Sequence, residues 1–189
     1  MKSNSIYNYV ERLGGLFRSD ARQAGLEPGL LPVQLEALHY LAICNQFSDT
    51  PMAVTEYLGQ TKGTVSQTLK VLEKKKLLEK VADKKDKRVA HLHITHKGQA
   101  LLALLVPTQT FINACEALNK KQQQQIEEAL NLLLSSLLKS NQLKSFGVCH
   151  SCHHNLLDKD GGNFCNLVKL PLSTSDVQLI CREHEPQHI

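Results

Sequence analysis

Apolar residues recur at three- and four-residue steps through two long stretches of the chain, a spacing typical of amphipathic helices. Residues 4–24 form the first stretch and residues 119–141 the second, while residues 33–45 carry a shorter run at the same spacing. The apolar positions of the two long stretches are Ile6, Val10, Leu13, Phe17, Ala21, Ile126, Leu130, Leu133, Leu134, Leu137 and Leu138. These faces are too apolar to cover one small domain. The pattern therefore predicts helices that meet a second copy of the chain in a homodimer.

Helix-start signals mark two short helices between these stretches. Thr50-Pro51 is an N-cap followed by proline at the first helical position, and it predicts a helix through Leu58 that Gly59 ends. Thr61 predicts the cap of the next helix. The core-facing stripe of that helix is Val65, Leu69 and Leu72. Two helices joined by so tight a turn are typical of a helix-turn-helix.

The pattern changes after Leu78, where LLEKVA and RVAHLHIT alternate in places and flank the polar turn DKKDK. This arrangement predicts a two-stranded β-hairpin. Residues 96–118 return to helical spacing, and Pro107 predicts a break within them. A hairpin that follows a helix-turn-helix gives a winged helix-turn-helix, so the predicted fold is mainly α with a small β-hairpin wing.

Length and composition limit the kinds of protein that this chain can be. Its 189 residues, 42% of them apolar, suit one main domain with a small appendage. No apolar run reaches the ~18–20 residues that cross a bilayer, and the N-terminus lacks the apolar core of a signal peptide. We therefore expect a cytoplasmic protein with no membrane partner. No nucleophile elbow, phosphate loop or H-E-x-x-H motif is present, so the sequence predicts no enzyme.

Charge and aromatic content bear on nucleic-acid binding. The net charge of +4 permits it without requiring it. The chain has no tryptophan and only 5% aromatic residues, which argues against a stacking surface for single strands. Double-stranded DNA is therefore the nucleic acid to consider.

Four of the six cysteines fall within the last 41 residues. Cys149 and Cys152 have C-x2-C spacing, Cys165 follows, and Cys181 and His184 form a C-x2-H pair. Such pairs are typical of zinc and iron–sulfur sites, and a polar segment this short needs a cross-link to fold. Two metal ligand sets are open. One is Cys149, Cys152, Cys165 and Cys181, and the other has His184 in place of Cys165. In a third possibility the cysteines are unmetallated core residues.

The spacing favours Zn2+ as the cofactor, with an iron–sulfur cluster as the alternative, because the later spacings are too open for the compact ferredoxin runs. Residues 145–189 would form this metal-binding extension, and residues 1–144 the main domain. Within the main domain we expect DNA binding over about 31–97 and dimerisation through residues 4–24 and 96–141. Since the extension follows the helix that ends near Asn141, we expect a structural or sensory metal to act on the dimer helices.

The wing carries a specific resemblance to a known family. Asp83, Asp86 and Arg88 match the D-x-R-D-x-R wing pattern of MarR regulators, with Lys85 in place of the middle arginine. The strand end and helix start that follow match at Ile94, Thr95 and Gly98. Over roughly residues 5–140 the chain resembles the MarR family of bacterial transcriptional regulators. The resemblance implies a homodimer whose recognition helices enter the major groove and whose wings touch the minor groove, with a small-molecule or redox effector. It does not reach residues 145–189.

The helix capped by Thr61 presents a polar face opposite its apolar stripe. Glutamine can pair with adenine, threonine can meet a thymine methyl, and lysine can meet phosphate or guanine. The residues expected to contact DNA are Thr61, Lys62, Thr64, Ser66, Gln67, Lys70, Lys85 and Arg88. Lysine is more strongly hydrated than arginine, which leaves open how deeply Lys85 enters the minor groove. Arg88 has a second interpretation, in which it braces the wing by pairing with Asp86 or Asp83.

The remaining candidates are weaker. His91 and His93 share a strand face near His96, and an H-x-H pair is either a metal site or, more commonly, two exposed histidines. Cys44 and Cys115 stand alone in predicted helices, as small buried apolar residues do. Two rival functions stay open: a metal-linked redox or electron-transfer protein, and a partner-recruiting interaction module. Either would carry a vestigial helix-turn-helix.

Overall fold

The computed structural model describes residues 2–84, 86–158 and 161–187. Within them the chain is mainly helical, with a two-stranded hairpin and a separate three-stranded sheet. None of the helices in these ranges is long and apolar enough to span a membrane. The helices are α1 Lys2–Gly25, α2 Pro32–Ile43, α3 Pro51–Leu58, α4 Lys62–Lys74, α5 His96–Leu105, α6 Gln109–Glu116 and α7 Lys120–Ser140. The strands are β1 Leu78–Ala82, β2 Ala90–Ile94, β3 Asn155–Leu157, β4 Asn163–Cys165 and β5 Leu170–Leu172.

The helices of the helix-turn-helix, α3 and α4, begin at their predicted caps. The Thr50 hydroxyl accepts a hydrogen bond from the Ala53 N–H at 3.3 Å, and the Thr61 hydroxyl accepts one from the Thr64 N–H at 3.1 Å. Gly59 ends α3 with a φ of 60°, in the left-handed region that favours glycine. Both predicted helix starts are confirmed.

The main core lies between α2, α4 and the hairpin. Leu35 and Leu38 of α2 are buried, and so are Val65, Leu69 and Leu72 of α4. The apolar stripe predicted for α4 is therefore confirmed as its core-facing side. Because the stripe holds one side of α4 inward, the opposite side faces solvent.

The predicted hairpin is confirmed, with β1 and β2 paired antiparallel from Leu78↔Ile94 to Ala82↔Ala90. Leu92 fixes it to the domain in two ways. Its side chain is buried in the core, and its N–H donates to the Asp49 carbonyl at 2.7 Å. The wing is thus attached to the loop that precedes α3.

The helical stretch predicted at 96–118 is interrupted around Pro107, as expected. The helix α5 ends at Leu105, and α6 begins at Gln109. The Thr108 hydroxyl caps α6 by accepting from the Phe111 N–H at 3.4 Å. A proline has no N–H with which to continue the helical hydrogen-bond ladder, so the break follows from the sequence.

The apolar faces of α1 and α7 remain exposed in the single chain. Ile6, Val10, Leu13 and Phe17 keep between 41% and 49% of their surface exposed. The face of α7 is similar, with Ile126, Leu130, Leu134 and Leu137 exposed. Contiguous apolar surface of this kind marks interaction sites. The predicted homodimer interface is thus accessible, and dimerisation itself stays a prediction.

The tail, taken here as residues 145–158 and 161–187, packs on the end of α2, the loop after it and α3. The Ile180 N–H donates to the Ile43 carbonyl and the Asn45 N–H donates to the Ile180 carbonyl, both at 2.9 Å. The Arg182 guanidinium donates twice to the Glu56 carboxylate of α3, at 2.7 Å each. The last carbonyls of a helix lack partners within it, which makes the end of α2 receptive to such bonds. We expected the tail to act on the dimer helices, yet these contacts lead to the DNA-binding region instead.

Aromatic packing adds to this docking. The ring of Phe146, near the start of the tail, lies 5.9 Å from the ring of Tyr40 and 5.2 Å from that of Tyr57. Both arrangements are edge-to-face, the geometry that aromatic quadrupoles favour. Tyr40 and Tyr57 belong to α2 and α3, so the tail covers both helices at once.

Candidate DNA-contact surface and cysteine cluster

The polar side of α4 is open to solvent. The predicted contact residues on this helix and its cap are all exposed, namely Thr61, Lys62, Thr64, Ser66, Gln67 and Lys70. The hydroxyls of Thr61 and Thr64 lie 3.0 Å apart and share a hydrogen bond. An amide, hydroxyls and an ammonium on one helix face supply the donors and acceptors that base edges and phosphates require.

The wing tip is stabilised by its own charged residues. Arg88 pairs with Asp86 through Nε–Oδ1 and Nη2–Oδ2 contacts of 2.9 and 2.8 Å, and Asp83 accepts from the Asp86 N–H at 2.7 Å. The pair with Arg88 lowers the pKa of Asp86. The bracing interpretation of Arg88 therefore holds with Asp86 as its partner, while 90% of the side chain stays exposed. Lys85 lies outside the described residues.

The turn end of the hairpin carries a histidine held between two carboxylates. His91 Nδ1 lies 2.5 Å from Asp49 Oδ1, and its Nε2 lies 3.3 Å from Asp83 Oδ2. The hydrogen bond to Asp49 raises the pKa of His91, whereas burial raises the pKa of Asp49. His93 Nε2 lies 3.5 Å from Asp49 Oδ2 and is half exposed. We expected two exposed histidines here, but His91 is an ion-pair partner because Asp49 reaches it from the loop before α3.

This pair predicts a pH-dependent stability. The pKa of His91 is higher in the folded protein than its ordinary value of 6.5. The stabilisation is therefore complete below that value and is lost as the pH rises through the folded-state pKa. We expect His91→Gln to remove this loss, measured as unfolding midpoints in urea from about pH 6 to 8. His96→Gln, at the exposed start of α5, is the matched control and should keep the wild-type slope. Equal slopes for wild type and His91→Gln would contradict the assignment.

The four tail cysteines converge on one small cavity. Cys149, Cys152, Cys165 and Cys181 all line a space of about 20 Å3. The Cys149 N–H donates to the Leu179 carbonyl, and the Cys181 N–H donates to the Gly147 carbonyl, each at 2.9 Å. These two bonds hold the first and last cysteine segments side by side. The strand β4 then brings Cys165 to the same place.

The Cys149 thiol is difficult to ionise in this cluster. Burial, followed by the charges of Cys181, Cys152 and Cys165, raises the pKa of Cys149 to about 12. Clustered thiols of this kind stay protonated near neutral pH unless a cation offsets their charge. Among the described residues, no three His, Cys, Asp or Glu side chains are arranged so as to hold a metal ion. The four cysteines therefore line one cavity, yet their side chains do not form a coordination geometry.

Three buried polar atoms support a ligand at this position. In the described part of the chain, the buried side-chain atoms without a hydrogen-bond partner are Asn45 Nδ2, His154 Nε2 and Asn155 Oδ1. All three residues line the cysteine cavity. His154 Nε2 does lie 3.4 Å from a Glu185 oxygen, without the geometry of a hydrogen bond. Buried polar groups are nearly always satisfied, so this grouping fits a charged occupant such as a metal with its thiolates.

His184 is held away from the cavity. Its Nδ1 lies 2.7 Å from the Ser145 hydroxyl and its Nε2 lies 3.1 Å from the Ser151 hydroxyl. The ring covers Gly147, where an added Cβ would come within 2.4 Å of it. Both ring nitrogens are therefore engaged by serines. Of the two ligand sets left open by the sequence, this geometry favours the one with Cys165.

The two isolated cysteines differ from each other. Cys44 is buried at the end of α2, and burial raises the pKa of its thiol to about 12. Its expected role as a small apolar residue is confirmed. Cys115 in α6 is only partly buried. The expectation of a fully buried small residue is therefore wrong for Cys115.

Sequence reasoning missed three residues that the structure brings to these sites. Asn45 and His154 line the cysteine cavity, and Asp49 joins the wing to the helix-turn-helix. Asn45 and Asp49 sit in a polar loop after α2, where such residues usually only shape turns. The adjacency of His154 to the C-x2-C pair was a signal that could have identified it.

Comparisons with known proteins agree with this architecture. Residues 29–89 match the model of the MarR family. MepR of S. aureus in its DNA-binding conformation is 26% identical, with 69% of this chain and 98% of that chain covered and a TM-score of 0.60. The S. aureus MepR–DNA complex has the same identity, covers 69% and 97%, and gives a TM-score of 0.57. The regulator BldR from Sulfolobus solfataricus shares the fold at 18% identity, covering 71% and 96%, with a TM-score of 0.59. No curated protein gives a match.

Proposed function

We propose that the protein is a transcriptional regulator of the MarR type that binds double-stranded DNA, since residues 29–89 match the MarR family model. The observation that carries the proposal is the exposed polar side of α4, which lies beside a wing. The solved S. aureus MepR–DNA complex has the same fold. A DNA-binding regulator acts where the DNA is, so a cytoplasmic location follows from the proposal.

The chemistry of α4 divides its contacts into two kinds. Gln67 is exposed and can pair bidentately with adenine, which reads sequence. Lys70 is exposed one turn later and offers a point charge, which binds phosphate irrespective of sequence. Arg88 is committed to Asp86, so we assign it to shaping the wing rather than to deep insertion in the minor groove.

A homodimer completes this proposal. The exposed apolar faces of α1 and α7 supply the surface, and the polar sides of two α4 helices would then address two half-sites. Two-fold symmetric proteins bind pseudo-palindromic sites whose halves lie about one helical turn apart. We expect such a site in the DNA that the protein recognises.

Two substitutions on α4 test the DNA surface. Gln67→Ala should relax sequence preference by about 1–3 kcal/mol of discrimination per half-site. Lys70→Ala should weaken binding evenly across sequences and lower the salt slope by about two, one for each protomer. Fluorescence anisotropy with a selected site and a scrambled site, at several salt concentrations, measures both effects. If both variants bind like wild type, α4 is not the DNA-contact helix.

We further propose that the tail binds one metal ion per chain through Cys149, Cys152, Cys165 and Cys181. The shared cavity, the buried polar atoms around it and the engagement of His184 by two serines support this ligand set. The later cysteine spacings are too open for the compact ferredoxin runs, which favours Zn2+ over an iron–sulfur cluster. Bound zinc would order the tail, since structural zinc contributes about 10–16 kcal/mol in small finger peptides.

Metal analysis of anaerobically purified protein tests the zinc proposal. We expect about one zinc per chain and no visible absorption, because zinc has a filled d shell. Iron with sulfide and visible absorption bands would instead identify the alternative cofactor, an iron–sulfur cluster. Protein that contains no metal and takes up none from added zinc would refute the site.

A further inference from the structure

One loop, residues 44–50, lies between the tail and the wing. On the tail side, the Asn45 N–H donates to the Ile180 carbonyl at 2.9 Å. The Ser48 hydroxyl accepts from the Arg182 N–H at 2.8 Å. Gln46 donates to the Asp176 carboxylate at 3.3 Å. Three residues of this loop are thus hydrogen-bonded to the tail.

The next residue of the same loop holds the wing. The Asp49 carbonyl accepts from the Leu92 N–H at 2.7 Å, and its carboxylate lies 2.5 Å from His91. Ser48 and Asp49 are both buried. Ser48 contacts the tail and the adjacent Asp49 contacts the wing. A displacement of the loop would therefore also move the wing contacts.

Asn45 places the cysteine cluster in direct contact with this loop. It is 1% exposed, its Oδ1 accepts from the Phe47 N–H at 3.2 Å, and its Nδ2 has no acceptor. Both Asn45 and Phe47 line the cysteine cavity. A metal-bound thiolate is a charged acceptor that the amide of Asn45 can satisfy, and such outer hydrogen bonds orient metal ligands. The binding site is thereby shared between the tail and the DNA-binding region.

We propose that the metal held by the four cysteines fixes the 44–50 loop and, through Asp49, the wing, so that metal occupancy controls DNA affinity. This inference rests on both the DNA-binding and the metal-binding functions proposed above. The metal is then an effector as well as a structural ion. Coupling passes through the DNA-binding region of each chain and does not require the dimer helices.

The sign of the effect follows from the contacts. A metal bound by the four cysteines would draw their thiolates together and give the Asn45 amide an acceptor. The loop, and with it the wing, would then be stabilised in the position described. Loss of metal returns an unsatisfied amide to a buried site, which costs stability at the loop. We therefore expect zinc-loaded protein to bind its DNA site about tenfold more tightly than zinc-free protein, a typical size for coupling between two sites.

The test compares zinc-loaded and chelator-treated full-length protein by DNA affinity and by hydrogen exchange. Metal removal should speed exchange in peptides that contain Leu92 and leave peptides within α4 protected, which shows that the domain remains folded. Asp49→Asn keeps the side-chain size and weakens the contact to His91, so it should reduce the tenfold ratio toward one while zinc content stays at wild-type level. Asp86→Asn removes the same charge at the wing tip, away from the loop, and should keep the ratio.

The outcomes separate the proposals. A chain that holds no zinc refutes the metal site and the coupling with it. Zinc binding with equal DNA affinity and equal Leu92 exchange in both states refutes the coupling alone. Absence of any DNA binding refutes the DNA proposal. The exchange measurement still decides whether metal binding in the tail stabilises the wing. Retention of the full ratio in Asp49→Asn overturns the route through the Asp49 carboxylate.

Discussion

A Cys149→Ser, Cys152→Ser double variant is expected to lose its metal, falling from about one zinc per chain to background. These two residues are the two most buried of the tail cysteines, at 4% exposure each. Serine hydroxyls remain protonated near neutral pH and bind zinc poorly. Two of four ligands are therefore removed while the side-chain volume is almost kept. Elemental analysis of protein purified under anaerobic conditions measures the result.

Single variants then resolve the ligand set. Cys165→Ser should lower zinc content or affinity strongly, whereas His184→Ala should leave it near wild type because both ring nitrogens of His184 already contact serines. Cys115→Ser lies in α6, outside the cluster, and is the control for loss of any one cysteine. Full zinc retention in the double variant would exclude the site. Loss in His184→Ala with retention in Cys165→Ser would assign the fourth ligand to the histidine.

Removing residues 1–22 is expected to convert a dimer into a monomer or an aggregate. The deletion takes away the apolar face of α1, including Val10, Leu13 and Phe17, whose side chains are half exposed in the single chain. It also leaves the apolar face of α7 uncovered. Sedimentation velocity should show half the wild-type mass, or polydisperse material, in place of one dimeric species. A well-behaved dimer would mean that α1 is not part of the interface.

A pair of point variants makes the same test without deletion. Leu13→Asp places a charge in the middle of the apolar face, where burial between two chains would be costly. Arg12→Asp places the same side chain off the apolar face of α1, since adjacent residues of a helix are about 100° apart. We expect Leu13→Asp to dissociate the dimer and Arg12→Asp to preserve it. Equal behaviour of the two would argue against the face defined by residues 6–21.

The main domain was predictable because its signals are local and periodic. The stripe of Val65 and Leu69, the cap at Thr61 and the break at Pro107 each act over a few residues, and the structure confirms them. The wing followed for a similar reason, since alternation and a polar turn define a hairpin. The polar side of α4 was predictable as the complement of its buried stripe.

The docking of the tail was not predictable in this way. It depends on backbone hydrogen bonds between Ile180 and the end of α2, and backbone groups leave no pattern in a sequence. The contact of Arg182 with Glu56 joins residues far apart in the chain, and many such charges are simply solvated. The sequence could place four cysteines near one another, but only the fold shows that Asn45 lies among them.

The anchoring of Arg182 to Glu56 and of its amide to Ser48 has a consequence for how such extensions spread among relatives. A homologous chain that acquired the cysteine-rich segment without these two acceptors would carry it as a loose appendage. Chains with Ser and Glu at the equivalent sites would hold the segment against the DNA-binding region. The joint occurrence of these two residues with the four cysteines is therefore a signature by which genomes can be searched for docked members. The tail and its landing site would be inherited together, as one evolutionary unit.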